Sequence, residues 1–242
     1  MNSDQAKKWT NEHAIYAILS HTWNQTPGEL TYNDWQKGSL NPDDPRAAKI
    51  FNFCKVALEN HGIAYGWVDT VCINKESSSE LDESIRSMYK WYFEAAICIT
   101  YLSETTSIED MVDDTWFTRG WTFQELIAPK VMKFYNSQWT RFIFSVNNDI
   151  RHPLILDSIQ RATTLTVDEL RRIQNSSISR RMELAAKRRV TREEDTAYSL
   201  MGIFDVSIST AYGEGAEHAF FRLVKEIFDS TKDVSDIFNW AG

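Results

Sequence analysis

Short apolar runs alternate with amphipathic helical patterns over the first half of the chain. Four runs have the length and composition of buried β-strands, and they lie at residues 14–20, 65–73, 97–102 and 131–135. Between them, residues 46–60, 79–96 and 120–127 place apolar side chains at the helical spacing. Because strands that alternate with helices form parallel sheets, the pattern predicts an α/β fold in which helices flank a parallel sheet.

The second half of the chain is rich in helical periodicity. Helices are predicted at residues 165–173, 179–187, 193–202 and 217–228. No linker rich in Pro, Ser or Gly separates this half from the sheet, so we expect a helical extension packed on the core rather than a free domain. The predicted organisation is an N-terminal leader at residues 1–13, an α/β core at residues 14–145 and a C-terminal helical extension at residues 146–242.

Charge and composition limit the classes of function. The chain has 34 acidic and 26 basic residues, and its net charge of -8 argues against nucleic acid as the main partner. It contains no apolar stretch of about 18 residues, so we expect no transmembrane helix and no membrane partner. The three cysteines and five histidines lack the spacing of metal ligands, which predicts a reduced, cytoplasmic protein without a metal site.

A basic run at residues 187–192 follows one of the predicted helices. Charge runs of this kind usually lie in solvent, and we interpret this one as a solvated helix face. The alternative is a contact with an acidic surface in an assembly.

The candidate chemistry lies where the predicted strands end. In an open parallel sheet, ligands bind outside the carboxyl ends of the strands. Three segments should meet there, after the first strand, at the end of the second, and in the loop and helix around residues 116–125. The candidate binding residues in these segments are Ser20, His21, Trp23, Asp69, Asn74, Trp116 and Trp121. Ser20 and His21 are neighbours on a strand and point to opposite faces, so we do not expect a nucleophile–base pair.

Glu125 is the candidate catalytic residue, and two interpretations of it are open. It lies among apolar and aromatic residues, and desolvation there should raise the pKa of its carboxyl group into a chemically useful range. It equally fits a structural glutamate that pairs with Arg119 or a loop amide.

Asp69 also has two interpretations, because the pattern places it inside the second predicted strand. A buried carboxylate needs several hydrogen-bond donors, and the amides of the following loop could supply them. In that case Asp69 holds the turn in shape. In the other interpretation it contacts a hydroxyl group of a ligand.

Three sequence blocks then identify a family resemblance. The blocks YAILSHTW at residues 16–23, GWVDTVCINK with ELDESIRSMYKWYFEAAICITYLS within residues 66–103, and RGWTFQELIAP at residues 119–129 resemble the fungal heterokaryon-incompatibility (HET) domain. Residues 191–227 resemble the segment that follows this domain in NLR-like incompatibility proteins. The resemblance implies a TIR-like (flavodoxin-like) sheet.

The resemblance also implies an activity. TIR enzymes cleave the nicotinamide–ribose bond of NAD+ with a glutamate in a W-C-x-x-E-L pattern, and WTFQEL is similar, with Thr122 in place of the cysteine and Glu125 as the glutamate. It implies a cell-death effector in fungal innate immunity, an NADase that self-associates, takes NAD+ as substrate and needs no cofactor. NLR-type nucleotide-binding regions or other death-signalling proteins are the implied partners. The alternative is a non-enzymatic death-inducing module that oligomerises and recruits partners.

Overall fold

Four parallel strands form one sheet, with β1 at Tyr16–His21, β2 at Tyr65–Trp67, β3 at Ile97–Tyr101 and β4 at Met132–Tyr135. The computed structural model describes residues 15–38, 41, 43–144 and 147–231, so the predicted leader at residues 1–13 lies outside the described residues. The strand order is β2-β1-β3-β4. This is the order of the first four strands in flavodoxin-like sheets. The predicted parallel α/β fold is confirmed, and the relation to TIR domains stays a prediction.

Helices connect the strands and continue after the last one. Before β4 they are α1 at Tyr32–Gln36, α2 at Ala48–His61, α3 at Asp69–Cys72, α4 at Ser78–Glu94 and α5 at Thr122–Ile127. After β4 they are α6 at Pro153–Thr163, α7 at Val167–Arg171, α8 at Ile178–Ala186, α9 at Asp195–Tyr198, α10 at Met201–Phe204 and α11 at Ala216–Ser230. Short 3₁₀ turns lie at Glu109–Asp113, Thr115–Thr118, Asp149–Arg151 and Ile173–Asn175.

Alternation along the strands divides the core between the two faces of the sheet. Ala17 and Leu19 of β1 face α2, in a cluster with Phe53. Ile18, between them, faces the other way, in a cluster that includes residues of α4, α5 and the C-terminal helices. Because side chains alternate along a strand, Ser20 faces the α5 side and His21 faces the α2 side.

The predicted second strand was too long. It ends at Trp67, and Asp69 begins α3 after an extended Val68 instead of lying inside a strand. An acidic side chain is favourable in the first turn of a helix, and it is disfavoured in a strand. The turn also brings the Asp69 carboxylate back to the end of β1, where His21 contacts it.

The C-terminal helices differ from the prediction in three places. Helix α6 was missed, and the predicted helix at residues 193–202 is two short helices, α9 and α10. The basic run at residues 187–192 is not a helix face, because α8 ends at Ala186 and the following residues are extended or bent.

Close backbone contact joins the C-terminal helices to the core. Gly202 of α10 packs on Tyr89 of α4, and a Cβ atom at position 202 would lie 2.1 Å from the Tyr89 Cβ atom. Residues of both halves of the chain also belong to one apolar cluster. The helices after β4 therefore bury the face of α4 and α5 that does not contact the sheet.

We expect Gly202→Ala to lower the free energy of unfolding by about 1–3 kcal/mol, the usual cost of overpacking a filled contact. Chemical denaturation measures this effect. In a double-mutant cycle, the same change should cost less in a Tyr89→Gly background, where the clashing atoms are absent. Equal costs in the two backgrounds would contradict the described packing.

Candidate functional site

A cavity of about 190 Å³ opens at the carboxyl ends of the strands, where β1, α3 and α5 meet the segment after α8. This volume is below the range of roughly 300–1,000 Å³ that is typical of ligand pockets. The cavity therefore accommodates one ring and its immediate surroundings rather than a large ligand. Its polar lining includes His21, Asp69, Arg119, Glu125, Arg189, Thr191, Arg192 and Asp195.

Glu125 presents a buried carboxyl group to this cavity. Its side chain comes from the first turns of α5, and the residue is only 7% exposed. Burial, with a smaller contribution from the Asp69 carboxylate, raises the pKa of Glu125, and the hydrogen bond from Ser20 opposes the rise, so that the resulting pKa is about 7. The group is therefore balanced between its charged and neutral forms near neutral pH, the condition that suits proton transfer or charge stabilisation.

A chain of two hydrogen bonds fixes the orientation of Glu125. Trp116 Nε1 donates to Ser20 Oγ at 2.8 Å, and Ser20 Oγ donates to Glu125 Oε2 at 2.5 Å. The indole N–H can only donate, so it occupies the acceptor side of the serine hydroxyl and directs the serine proton at the carboxylate. All three residues are buried. The chain of bonds therefore stabilises the charged form of Glu125.

Asp69 lies on the opposite wall as a charged carboxylate. Its Oδ1 atom is 3.1 Å from His21 Nε2, and its Oδ2 atom accepts from Trp23 Nε1 at 3.0 Å. Burial by itself would raise the pKa of Asp69, but the Lys75 ammonium group and the donors His21 and Trp23 together hold the pKa well below its usual range. Asp69 is therefore ionised at neutral pH.

The contact with Asp69 places a proton on one nitrogen of His21. An ionised carboxylate can only accept, so Nε2 carries a proton and donates to Asp69. The other nitrogen, Nδ1, lies 3.1 Å both from Lys49 Nζ and from the Thr22 carbonyl oxygen, and Lys49 Nζ in turn lies 2.5 Å from Glu29 Oε1. His21 thus holds Asp69 in place, and its own ring is fixed from the α2 side.

The C-terminal part of the chain supplies one wall. Trp121 Nε1 donates to Asp195 Oδ2 at 2.9 Å, and the Tyr212 hydroxyl donates to Asp195 Oδ1 at 2.8 Å. Burial raises the pKa of Asp195, while the Trp121 and Tyr212 bonds oppose the rise. All three residues line the cavity. The site therefore straddles the predicted core and the predicted extension.

Most of the predicted site residues surround this cavity. His21, Trp23, Asp69, Trp121 and Glu125 line it, and Ser20 lies directly behind Glu125.

The two other predicted binding residues have different positions. Trp116 was expected to wall a pocket from a loop, but it is fully buried behind Ser20. Asn74 does not line the cavity, and its Oδ1 atom accepts from the Glu76 amide in the turn after α3.

Several lining residues were not predicted. They are Lys75, Tyr92, Arg119, Arg189, Arg192, Asp195 and Tyr212. Arg189 and Arg192 belong to the basic run at residues 187–192, so the sequence did contain a signal for them. We interpreted this run as a solvated helix face and therefore did not assign it to the site. Among the described residues, no group of three or more His, Cys, Asp or Glu side chains is arranged to hold a metal ion.

Comparisons with known proteins agree with the resemblance. A sequence model described as "Heterokaryon incompatibility protein (HET)" matches residues 16–111. The chain is 37% identical over 229 residues to "Vegetative incompatibility protein HET-E-1" of Podospora anserina. That alignment covers 88% of this chain and 16% of the relative, so the chain spans a small part of the relative's length. No solved structure matches. In the part of the chain that the structure describes, every helix is too short or too polar to cross a bilayer.

The raised pKa of Glu125 makes stability depend on pH. Between its ordinary pKa of 4.5 and its folded value of about 7, the folded protein keeps a proton that the unfolded chain releases. The free energy of unfolding should therefore fall as the pH rises through this window, by up to ~3 kcal/mol from this group. Glu125→Gln removes the titration, so the variant should gain stability relative to the parent protein over the same range. Denaturant unfolding at several pH values measures the difference, and parallel pH curves would contradict the assignment.

Ser20→Ala should raise the pKa of Glu125 above 7, because it removes the hydrogen bond that favours the carboxylate. Carboxyl-selective NMR or infrared titration measures the value. Ser103→Ala is the matched control, since the Ser103 hydroxyl lies 3.2 Å from Thr22 Oγ1 rather than near a carboxylate, and it should leave the pKa unchanged. A Ser20→Ala protein with the parental pKa would show that the hydroxyl does not stabilise the charge.

Proposed function

Because the chain carries a domain of the heterokaryon-incompatibility (HET) family, we propose that it is a cell-death effector of incompatibility that acts as an NAD glycohydrolase. The relative from Podospora anserina is named as a vegetative incompatibility protein, which supports the incompatibility role. The proposed reaction is hydrolysis of the nicotinamide–ribose bond of NAD+. NLR-type regions or other death-signalling proteins are the proposed partners.

One observation carries the enzymatic part of this proposal: a buried carboxyl group with a pKa of about 7 lines a cavity at the carboxyl edge of a parallel sheet. Perturbed carboxyl groups in clefts are more frequent at functional sites than elsewhere. Glu125 is also the residue that the WTFQEL block aligns with the glutamate of TIR enzymes.

The chemistry needs a carboxylate and little else from the protein. The C–N bond breaks with its electron pair going to the pyridinium ring, so nicotinamide leaves as a neutral molecule and needs no general acid. The ribose carbon becomes oxocarbenium-like, and a nearby carboxylate stabilises the positive charge, as in glycosidases. Water then adds to this carbon and releases a proton, which gives ADP-ribose.

Glu125 and Asp69 have different surroundings, and we propose a different role for each carboxylate. Glu125 changes its protonation near pH 7, so it fits the group that faces the reacting carbon and accepts the proton from water. Asp69 is ionised at neutral pH and held by His21 and Trp23, so it fits a fixed acceptor for ribose hydroxyl groups. Trp23 also lines the cavity and offers an aromatic face to a planar ring.

Self-association is the second part of the proposal. Within the described sheet, β2 pairs with β1 alone and leaves one edge open. Open strand edges are templates for pairing with another chain. Phe51, Leu58 and Tyr65 on α2 and β2 are 41%, 58% and 60% exposed, which supports an apolar contact on the same side.

The test is loss of NAD+ from a solution of purified protein, at high concentration or with a crowding agent. We expect the parent protein to consume NAD+ and release nicotinamide, and Glu125→Gln to lower the rate by at least about 100-fold. Asp69→Asn should lower the rate, and it should also lower the unfolding midpoint, because it removes a charge that the fold stabilises; rates are therefore compared at a temperature at which the variant is fully folded. Glu59→Gln is the matched control, because Glu59 is exposed on α2 and does not line the cavity, and it should leave the rate unchanged.

The non-enzymatic alternative gives a different set of results. If the protein kills the cells that express it, Glu125→Gln kills equally well, and NAD+ stays constant in both, the hydrolase part of the proposal is wrong. A death-inducing interaction module would then be the function.

A further inference from the structure

Three arginines line the cavity, namely Arg119, Arg189 and Arg192. Within the part of the chain that the structure describes, none of the three forms an ion pair, whereas five other arginines do, namely Arg46, Arg86, Arg161, Arg180 and Arg222. What sets the three apart is their convergence on one cavity, which itself contains three carboxyl groups.

The carboxyl groups of the cavity are already engaged by other donors. Both oxygens of Asp195 accept from neutral donors, the Trp121 indole and the Tyr212 hydroxyl. The Asp69 oxygens contact His21 and Trp23. The charge of Arg192 favours the ionised form of Asp195, and that of Arg119 favours the ionised form of Glu125, but neither arginine lies within ion-pair distance of these carboxyl groups. The N–H groups of the three guanidinium groups are therefore not committed to a carboxylate of the described residues.

The segment that carries two of these arginines is held firmly. The Arg189 amide donates to the Thr118 carbonyl at 2.7 Å, and the Gly120 amide donates to the Arg189 carbonyl at 2.8 Å. A Cβ atom at position 120 would lie 2.4 Å from Val190 Cγ1, so only glycine permits this approach. The backbone of the segment is therefore fixed against the residues that lead into α5.

A partly buried arginine, Arg188, strengthens the attachment. Arg188 Nη1 donates to the Arg119 carbonyl at 3.0 Å and to Thr122 Oγ1 at 3.1 Å, and its guanidinium group lies 4.6 Å from the Phe123 ring centroid. Burial lowers the pKa of Arg188, and the group stays protonated at neutral pH. Arg188 anchors the segment, so that Arg189 and Arg192 are presented by rigid backbone.

Arg192 is also oriented by an aromatic surface. Its guanidinium group lies 4.3 Å from the centroid of the Tyr212 ring, whose hydroxyl group is held by Asp195. Stacking on a ring orients the planar guanidinium group and leaves its N–H groups available at the edge. This is the arrangement in which arginine binds phosphate oxygens through two parallel hydrogen bonds.

We propose that Arg119, Arg189 and Arg192 form an anion subsite that binds the diphosphate group of a nucleotide. This inference rests on the proposed function for the position of the reacting bond. The cavity has room for one ring and part of a sugar, so the rest of a dinucleotide must lie along its wall. The diphosphate then meets the arginines while the nicotinamide ribose reaches Glu125. The C-terminal segment thereby selects diphosphate-linked substrates over simple nucleosides.

The test measures binding without turnover. In a Glu125→Gln background, calorimetry with ADP-ribose, inorganic pyrophosphate and adenosine separates the contribution of the phosphates from that of the rings. We expect ADP-ribose and pyrophosphate to bind, with affinity that falls as salt rises, and adenosine to bind much more weakly. Adding Arg189→Gln or Arg192→Gln should weaken ADP-ribose binding by about tenfold each, the usual effect of one lost charged hydrogen bond.

Lys187→Gln is the matched control, because Lys187 is exposed in the same basic run but does not line the cavity. It should leave the affinity for ADP-ribose unchanged. An unchanged unfolding midpoint in each variant excludes misfolding as the cause of weaker binding. Equal ADP-ribose affinity in the arginine variants, or equal losses in Lys187→Gln, would overturn the subsite.

The outcomes separate this inference from the proposed function. Arginine-dependent binding of ADP-ribose with no NAD+ loss by the parent protein would support the subsite and remove the hydrolase. NAD+ loss with an unchanged KM in the arginine variants would support the hydrolase and remove the subsite.

Discussion

The burial of one carboxyl group between β1 and α5 is the constraint on which the rest of the site depends. Glu125 can be buried there because Ser20 donates a proton to it, and Ser20 can donate because the Trp116 indole occupies its acceptor side. The serine lies on β1, the tryptophan precedes α5 in a 3₁₀ turn, and the glutamate lies on α5. A buried charge without such partners would either be neutralised or destabilise the fold. The arrangement keeps the carboxyl group near the midpoint of its titration.

On the opposite wall of the cavity, the carboxyl group of Asp69 has a lowered pKa instead of a raised one. Asp69 is kept charged by several donors, and one of them, His21, is itself held by a buried cluster that includes Lys49 and Glu29. The cavity thus contains one buried carboxyl group that titrates near neutral pH and one partly buried carboxyl group that does not. Burial raises the pKa in both cases, and the number of charged donors decides the outcome.

The sequence was sufficient for the features that depend on local pattern. The parallel sheet followed from the alternation of strands and helices, and the meeting of Ser20, Asp69 and Glu125 at one edge followed from the strand ends. Contacts between residues far apart in the chain leave no periodic pattern in the sequence, so the sequence did not predict them. Arg188 contacts residues that precede it by almost 70 positions, and Asp195 reaches Trp121 over a similar distance. The local pattern of residues 187–192 gave only a charge run, and the local pattern around Asp69 gave only an apolar stretch. The predicted structures of these two segments were wrong because contacts with distant residues, rather than local pattern, determine their conformations.

The wall contributed by residues 189–212 has a consequence for synthesis of the protein. Chains emerge from the ribosome with the N-terminal part first, and the sheet and Glu125 leave the exit tunnel before Arg189, Asp195 and Tyr212 do. A nascent chain therefore carries an incomplete cavity until residues 189–212 have left the exit tunnel. The wall that completes the cavity is the last part of it to emerge from the ribosome.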